Sequence, residues 1–168
     1  MKRFRLAFIA LWATTGLAHA DTPAQPDAEA PRGQIQQVVE TFCAAIIAKD
    51  TARLSELFMP VGHSWTLVLG DDLYRQAKAK RPDSPKIMPT SYEEFVKVIS
   101  SSPQRLEERF ANLSIRTDGA VASLYFDYIF LMDGKESNRG HETWQLVDTG
   151  AGWKISALSY SVNSATLK

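Results

Sequence analysis

Cysteine is almost missing from this chain. Cys43 is the only one among 168 residues, so no internal disulfide can form. No Cys/His cluster has zinc-ligand spacing, and no structural metal is expected. No motif implies a cofactor. Charge of one sign is missing as well, since 19 Lys+Arg balance 19 Asp+Glu. A nucleic-acid partner would need a basic face to neutralise its phosphates, and the charge balance argues against one. Internal repeats and low-complexity tracts are also absent.

What is present begins with the first twenty residues. Lys2, Arg3 and Arg5 precede an apolar run from Leu6 to Leu17, and Ala18-His19-Ala20 supplies small residues around a cleavage point. This is the pattern of a Sec-type signal peptide over 1–20, cleaved after Ala20. The apolar run is shorter than the roughly 20 residues of a membrane span. The expectation is therefore a periplasmic or secreted protein with no membrane insertion after cleavage. Losing three basic residues leaves the mature chain at about −3, which also disfavours adsorption to an anionic membrane. Residues 21–32, rich in Pro, Ala and acidic side chains, read as a flexible tether, and residues 33–163 as one domain.

Within that domain, Ile35, Val38, Val39, Phe42, Cys43, Ile46 and Ile47 recur at helical spacing. Cys43 falls on this apolar side, where a small hydrophobe is expected. Asp50 or Thr51 can cap a short second helix carrying Leu54, Leu57 and Phe58. The alternation of 63–69 predicts a strand. Residues 70–90 read as a lid: a short helix over 73–80, then Pro82, Pro85 and Pro89, which stop regular structure. Its Arg75, Lys78, Lys80, Arg81 and Lys86 form a basic set able to meet an anion. Ser91-Tyr92-Glu93-Glu94 has the form of a capping box before a third helix.

The C-terminal part is a meander. Strands are expected over 104–117, 120–132, 136–147 and 153–163, joined by Asp118-Gly119, Asp133-Gly134 and Gly150–Gly152 turns. Helices first and strands in sequence afterwards define an α+β fold.

Glu142-Thr143-Trp144-Gln145-Leu146-Val147, Gly152-Trp153-Lys154-Ile155 and Tyr160-Ser161-Val162 carry a resemblance, together with Phe42, Ala44-Ala45, Lys49-Asp50, Leu54 and Leu57-Phe58. In this order they resemble the nuclear-transport-factor-2-like (SnoaL-like, ketosteroid-isomerase-like) superfamily. The resemblance implies a cone-like curved antiparallel sheet with three N-terminal helices on its concave face. That fold hosts many unrelated functions, so the site must be argued residue by residue. Aligned without gaps over 39–66, the oxyanion-donor Tyr of ketosteroid isomerases falls on Phe42 and the general-base Asp on Thr66. Phe42 donates no hydrogen bond and the Thr66 hydroxyl is no base near neutral pH, so the isomerase chemistry is lost. Dehydratase relatives pair an inward His with an inward Asp. Here the strand alternation turns His141, Asp127 and His63 outward.

The remaining inward residues, Phe42, Thr66, Tyr128, Glu142, Trp144 and Tyr160, form an expected ligand pocket. Glu142 is the one candidate acid or base among them, because burial in an apolar cone raises a carboxyl pKa. The expected role is a non-catalytic domain binding a small apolar ligand or a partner protein. The alternatives are a lyase or isomerase using Glu142, and an interaction or immunity module. Tyr125, Ile129 and Leu131 give the outer sheet face an apolar character, which implies a homodimer through it.

Overall fold

The computed structural model describes residues 29–164. The expected signal peptide and most of the expected tether lie outside the described residues. The chain runs α1 (Glu29–Ala48), α2 (Thr51–Ser55), β1 (Ser64–Leu69), α3 (Asp71–Lys80), β2 (Ile87–Thr90), α4 (Tyr92–Ser101), β3 (Leu106–Thr117), β4 (Val121–Met132), β5 (Lys135–Asp148) and β6 (Trp153–Ser164). One six-stranded sheet has the order β2-β1-β6-β5-β4-β3.

Helix α1 starts at Glu29, so residues 29–32, expected in the tether, are helical. Pro31 is tolerated because it sits in the first turn, where the backbone N–H has no intrahelical acceptor. Ile35, Val38, Val39, Phe42, Ala45 and Ile46 are buried along one face. Ile47, expected beside them, is 43% exposed. At the far end Asp50 accepts from Arg53 N at 3.0 Å and caps α2.

The meander pairs in chain order, as its turns require. Asp118 Oδ1 accepts from both Ala120 N and Val121 N at 2.9 Å. Asp133 and Gly134 both take positive φ, 49° and 74°, as a two-residue hairpin loop that follows the strand twist demands.

Two features depart from the expected all-antiparallel sheet. Strand β1 runs parallel to β6, with Trp65 opposite Leu158, so the sheet is mixed. In addition, the Pro-rich segment is not wholly irregular. Residues 87–90 add an antiparallel edge strand to β1, with Thr66 opposite Pro89. Proline is accepted there because one side of an edge strand needs no donor. The sheet is curved and unclosed, and α1, α2 and α4 pack against its concave side through the core cluster.

The core is aromatic. Trp144 lies 4.9 Å from Phe42, 5.7 Å from Phe110 and 5.1 Å from Phe126, centroid to centroid, all edge-on. Edge-to-face contacts of this kind stabilise by about 0.5–1.5 kcal/mol each beyond area burial. Helix α4 is tied in by Phe95, which stacks on Phe42 at 5.9 Å.

Strands β5 and β6 loosen beside Gly140. Ser161 offers its carbonyl to the Tyr128 hydroxyl at 3.0 Å and its Oγ to His141 N at 3.1 Å. A Cβ at Gly140 would stand 1.9 Å from Ser161 O. Gly140→Ala should therefore push the strands apart and destabilise by about 1–3 kcal/mol, read as a lower midpoint in urea denaturation at unchanged m-value.

Candidate functional site

A cavity of about 400 Å³ lies between α4 and the concave face of the sheet. Phe42 from α1, Trp65 from β1, Phe95 from α4 and Phe130 from β4 form its apolar walls. Tyr128, Tyr160, Asn138, Glu108 and Glu142 supply its polar surface. Glu94 and Val98, both lining and both exposed, mark the mouth along α4.

Strand alternation explains who points in. On β5, Glu142, Trp144 and Leu146 are buried while His141, Thr143 and Gln145 are exposed. On β4, Leu124, Phe126 and Tyr128 are buried. On β3, Leu106, Glu108 and Phe110 share the inward parity, with Glu108 only 5% exposed. Glu108 sits opposite Phe130, and Glu142 opposite Phe126. The two acids thus flank β4 on its inner side.

The carboxyl groups of Glu108 and Glu142 lie close enough to interact directly. Two carboxyl groups can share a hydrogen bond only if one keeps a proton. Glu142 also accepts from Trp144 Nε1 at 2.6 Å, a bond that favours its ionised form. Glu108 therefore carries the proton and Glu142 accepts it. Burial pushes both pKa values up, and the charge of Glu142 raises that of Glu108 further. The same burial, with the two acids nearby, lifts the Tyr160 hydroxyl and the Cys43 thiol each to about 12, and the Tyr128 hydroxyl well above its usual range. All three stay protonated near neutral pH.

Tyr128 Oη stands 2.9 Å from Asn138 Oδ1 and 3.0 Å from Ser161 O, and its one proton is shared between these two acceptors. The indole N–H of Trp65 is buried and has no hydrogen-bond partner among the described residues. Tyr160 feels it electrostatically, but the pair falls short of hydrogen-bond geometry.

Of the residues expected in the pocket, Phe42, Tyr128, Glu142 and Tyr160 line the cavity. Trp144 stands behind it, fully buried, with its N–H on Glu142. Thr66 does not line it, and this corrects the expected register of β1. Trp65 is buried and opposite Leu158 and Thr90, whereas Thr66 is opposite exposed Ser159 and Pro89. The strand thus turns Trp65 inward and Thr66 outward. His63, just before the strand, donates from Nδ1 to Met59 O at 3.1 Å and packs on Tyr92 at 4.7 Å, outside the cavity lining.

Glu108 was missed. It lies in the charged run Arg105–Arg109, which reads as solvated, but its parity with Leu106 and Phe110 was the signal. Asp127 and His141 do meet, at 2.6 Å, on the outer face as expected of their parity. Tyr125 stacks on His141 there at 5.5 Å. The basic set of 75–86 is partly consumed by its own neighbours: Arg75 pairs with Asp72, Lys86 with Asp71 at 2.6 Å, and Lys78 donates to Pro82 O at 2.5 Å. Among the described residues no group of three His, Cys, Asp or Glu could hold a metal ion.

With this geometry in hand, the fold can be placed: it is the nuclear-transport-factor-2-like, or cystatin-like, fold. A nuclear-transport-factor-2-like superfamily protein from Salmonella enterica superposes with a TM-score of 0.58 at 14% identity, over 83% of this chain and 96% of that one. A protein of the same fold and unknown function from Shewanella baltica gives 0.56 at 15% identity, over 81% and 96%. A third, from Novosphingobium aromaticivorans, gives 0.57 at 11% identity, over 78% and 80%. At such identities the likeness is one of fold alone. No family model and no curated protein matches the sequence.

The acid pair makes stability depend on pH. The folded-state pKa values are raised above those of an unfolded carboxyl, so the native state holds more protons. The contribution is therefore intact below the unfolded pKa and declines as pH rises through the folded values. Glu108→Gln, which removes one of the two titrating carboxyls, should flatten this decline. Its unfolding free energy should rise relative to the wild type between pH 5 and 8, by at most about 1.4 kcal/mol per pH unit, and its thermal midpoint should rise with it. Differential scanning calorimetry of both proteins across that range checks it.

Proposed function

We propose that the domain binds a small, mainly apolar molecule inside the cone, and that it does so outside the cytoplasm. The observation that carries this reading is the aromatic cavity itself. Its volume is in the range of small-molecule sites, and its walls are mostly hydrocarbon around a few fixed polar groups. The secretory pattern at the N-terminus supports the compartment. Native mass spectrometry of the full chain expressed in its own host tests both points. The expected spectrum has the mass of a chain cleaved after Ala20 plus a retained small molecule. An uncleaved mass overturns the compartment. A protein that stays empty there and after incubation with a hydrophobic fragment library overturns the binding role.

A second reading, proton-transfer chemistry of the lyase or isomerase kind, is favoured by one observation absent from the sequence reading. Glu108 gives Glu142 an inward partner, so a carboxylic acid and a carboxylate adjoin in one cavity. Such a pair can deliver a proton at one atom of a bound ligand and remove one at another. On this reading Glu142→Gln should lower turnover of any substrate found by at least about 100-fold. Unchanged turnover would leave the binding role alone.

A homodimer through the outer sheet face is proposed on Tyr125, 50% exposed, and on Ile129 beside it. This face is also crossed by ion pairs of Arg105 and Arg109 with Glu107 and of Arg139 with Glu136. The contact would therefore be mixed in character rather than purely apolar. Light scattering after chromatography should give twice the chain mass, and Tyr125→Glu should return it to one.

A further inference from the structure

The cavity has acids and no base. Glu94, Glu108 and Glu142 line it, and no Lys, Arg or His does. Glu108 and Glu142 are 5% and 4% exposed, yet among the described residues neither makes a salt bridge. A buried carboxylate is ordinarily paired with a cation. Here the only relief is a proton held between two like groups and the Trp144 N–H. The groups facing the pair from the elements around it are Cys43 on α1, Tyr128 on β4 and Tyr160 on β6, none of them basic. Around the acids stand Phe42, Trp65, Phe95 and Phe130. Their ring faces are electron-rich and attract a cation held within about 6 Å, most strongly when water is excluded. The exposed Glu94 carboxylate at the mouth adds negative potential on the way in.

We infer that the cavity takes a hydrophobic organic cation, a protonated or quaternary amine whose charge lies against Glu108 and Glu142 and whose hydrocarbon packs on the surrounding rings. This rests on the binding role proposed above and names its ligand class. Carboxylate ligands such as fatty acids are disfavoured by the same acids. An ammonium with N–H groups would gain hydrogen bonds to Glu142, and a quaternary one would rely on charge and ring faces.

Two molecules of nearly equal shape separate charge from apolarity: phenyltrimethylammonium and tert-butylbenzene. Benzoate serves as the anion. Each is titrated into the full-length protein while tryptophan fluorescence is followed, with ligand-observed NMR as a second readout. The cation should bind at least about tenfold tighter than the neutral isostere, and benzoate should not bind. In Glu108→Gln/Glu142→Gln the preference should collapse to within about twofold while tert-butylbenzene binds as before. Equal or tighter binding of tert-butylbenzene to the wild type overturns the cation while leaving the apolar cavity role intact. Binding of neither overturns the cation and counts against the cavity role as well. The wild-type ratio decides without any variant, so a misfolded double mutant does not rescue the idea.

Discussion

The indole N–H of Trp144 donates to Glu142 Oε2 at 2.6 Å, and much of the molecule is arranged around that bond. The ring that makes it is wedged among Phe42, Phe110 and Phe126, so it cannot swing away without opening the core. The carboxylate that receives it is thereby fixed in direction. Glu142 in turn receives Glu108, which brings β3 and β5 into one polar contact across β4. One side chain thus belongs to the packing and to the site at once. Removing its N–H would leave Glu142 with the Glu108 proton as its one remaining donor among the described residues, a change felt in charge more than in volume.

The cavity exists because the concave face is covered unevenly. Phe42 on α1 fills the base, and Phe95 on α4 stacks over it in near-parallel orientation, 1° between planes. Trp65 meets Phe95 at 5.2 Å and Tyr160 at 6.3 Å, closing the β1 side. Beyond these rings α4 does not descend onto β4, and Val98 is 54% exposed at the edge of the open space. Where β5 and β6 loosen at Gly140, the freed Ser161 carbonyl is taken up by Tyr128. Tyr128 is thereby held upright beside the acids, and a backbone acceptor that the ladder no longer satisfies is not left bare.

Most of the fold could be read from turn chemistry and periodicity. The Asp-Gly hairpins set the meander, and the apolar stripe of α1 set the face that covers it. The partner of β1 could not be read this way. Its parallel contact with β6 joins residues about ninety apart, and no local pattern encodes such a pairing. The same gap explains Thr66. An ungapped alignment carried its orientation across a strand whose neighbours were unknown, and one residue of error reverses a side chain. In the site, Glu142 was legible because Trp144 and Leu146 flank it at period two. Glu108 obeyed the same rule with Leu106 and Phe110, but Arg105, Glu107 and Arg109 around it looked like a solvated stretch. They are indeed an outer-face ion-pair row, with Glu107 held between the two arginines at 2.6 and 2.5 Å. Alternation in this strand sorts charge: the odd residues pair with one another outside, and the even acid is carried inside.

That sorting bears on why the pair is there. Two carboxyls facing an apolar cavity without a cation lower the stability of the empty protein, since each pKa rise is free energy lost to folding above the unfolded carboxyl value. A hydrophobic or amide pair of similar size at these positions would fold more firmly. Glu108 and Glu142 hold no helix end, no turn and no strand register, and the one packing contact between them and the aromatic cluster, the Trp144 N–H on Glu142, asks for an acceptor oxygen that an amide would supply as well as an acid. Acids that weaken the scaffold where amides would make the same contact fit the proposed binding role, because a bound partner can return the free energy that burial removes.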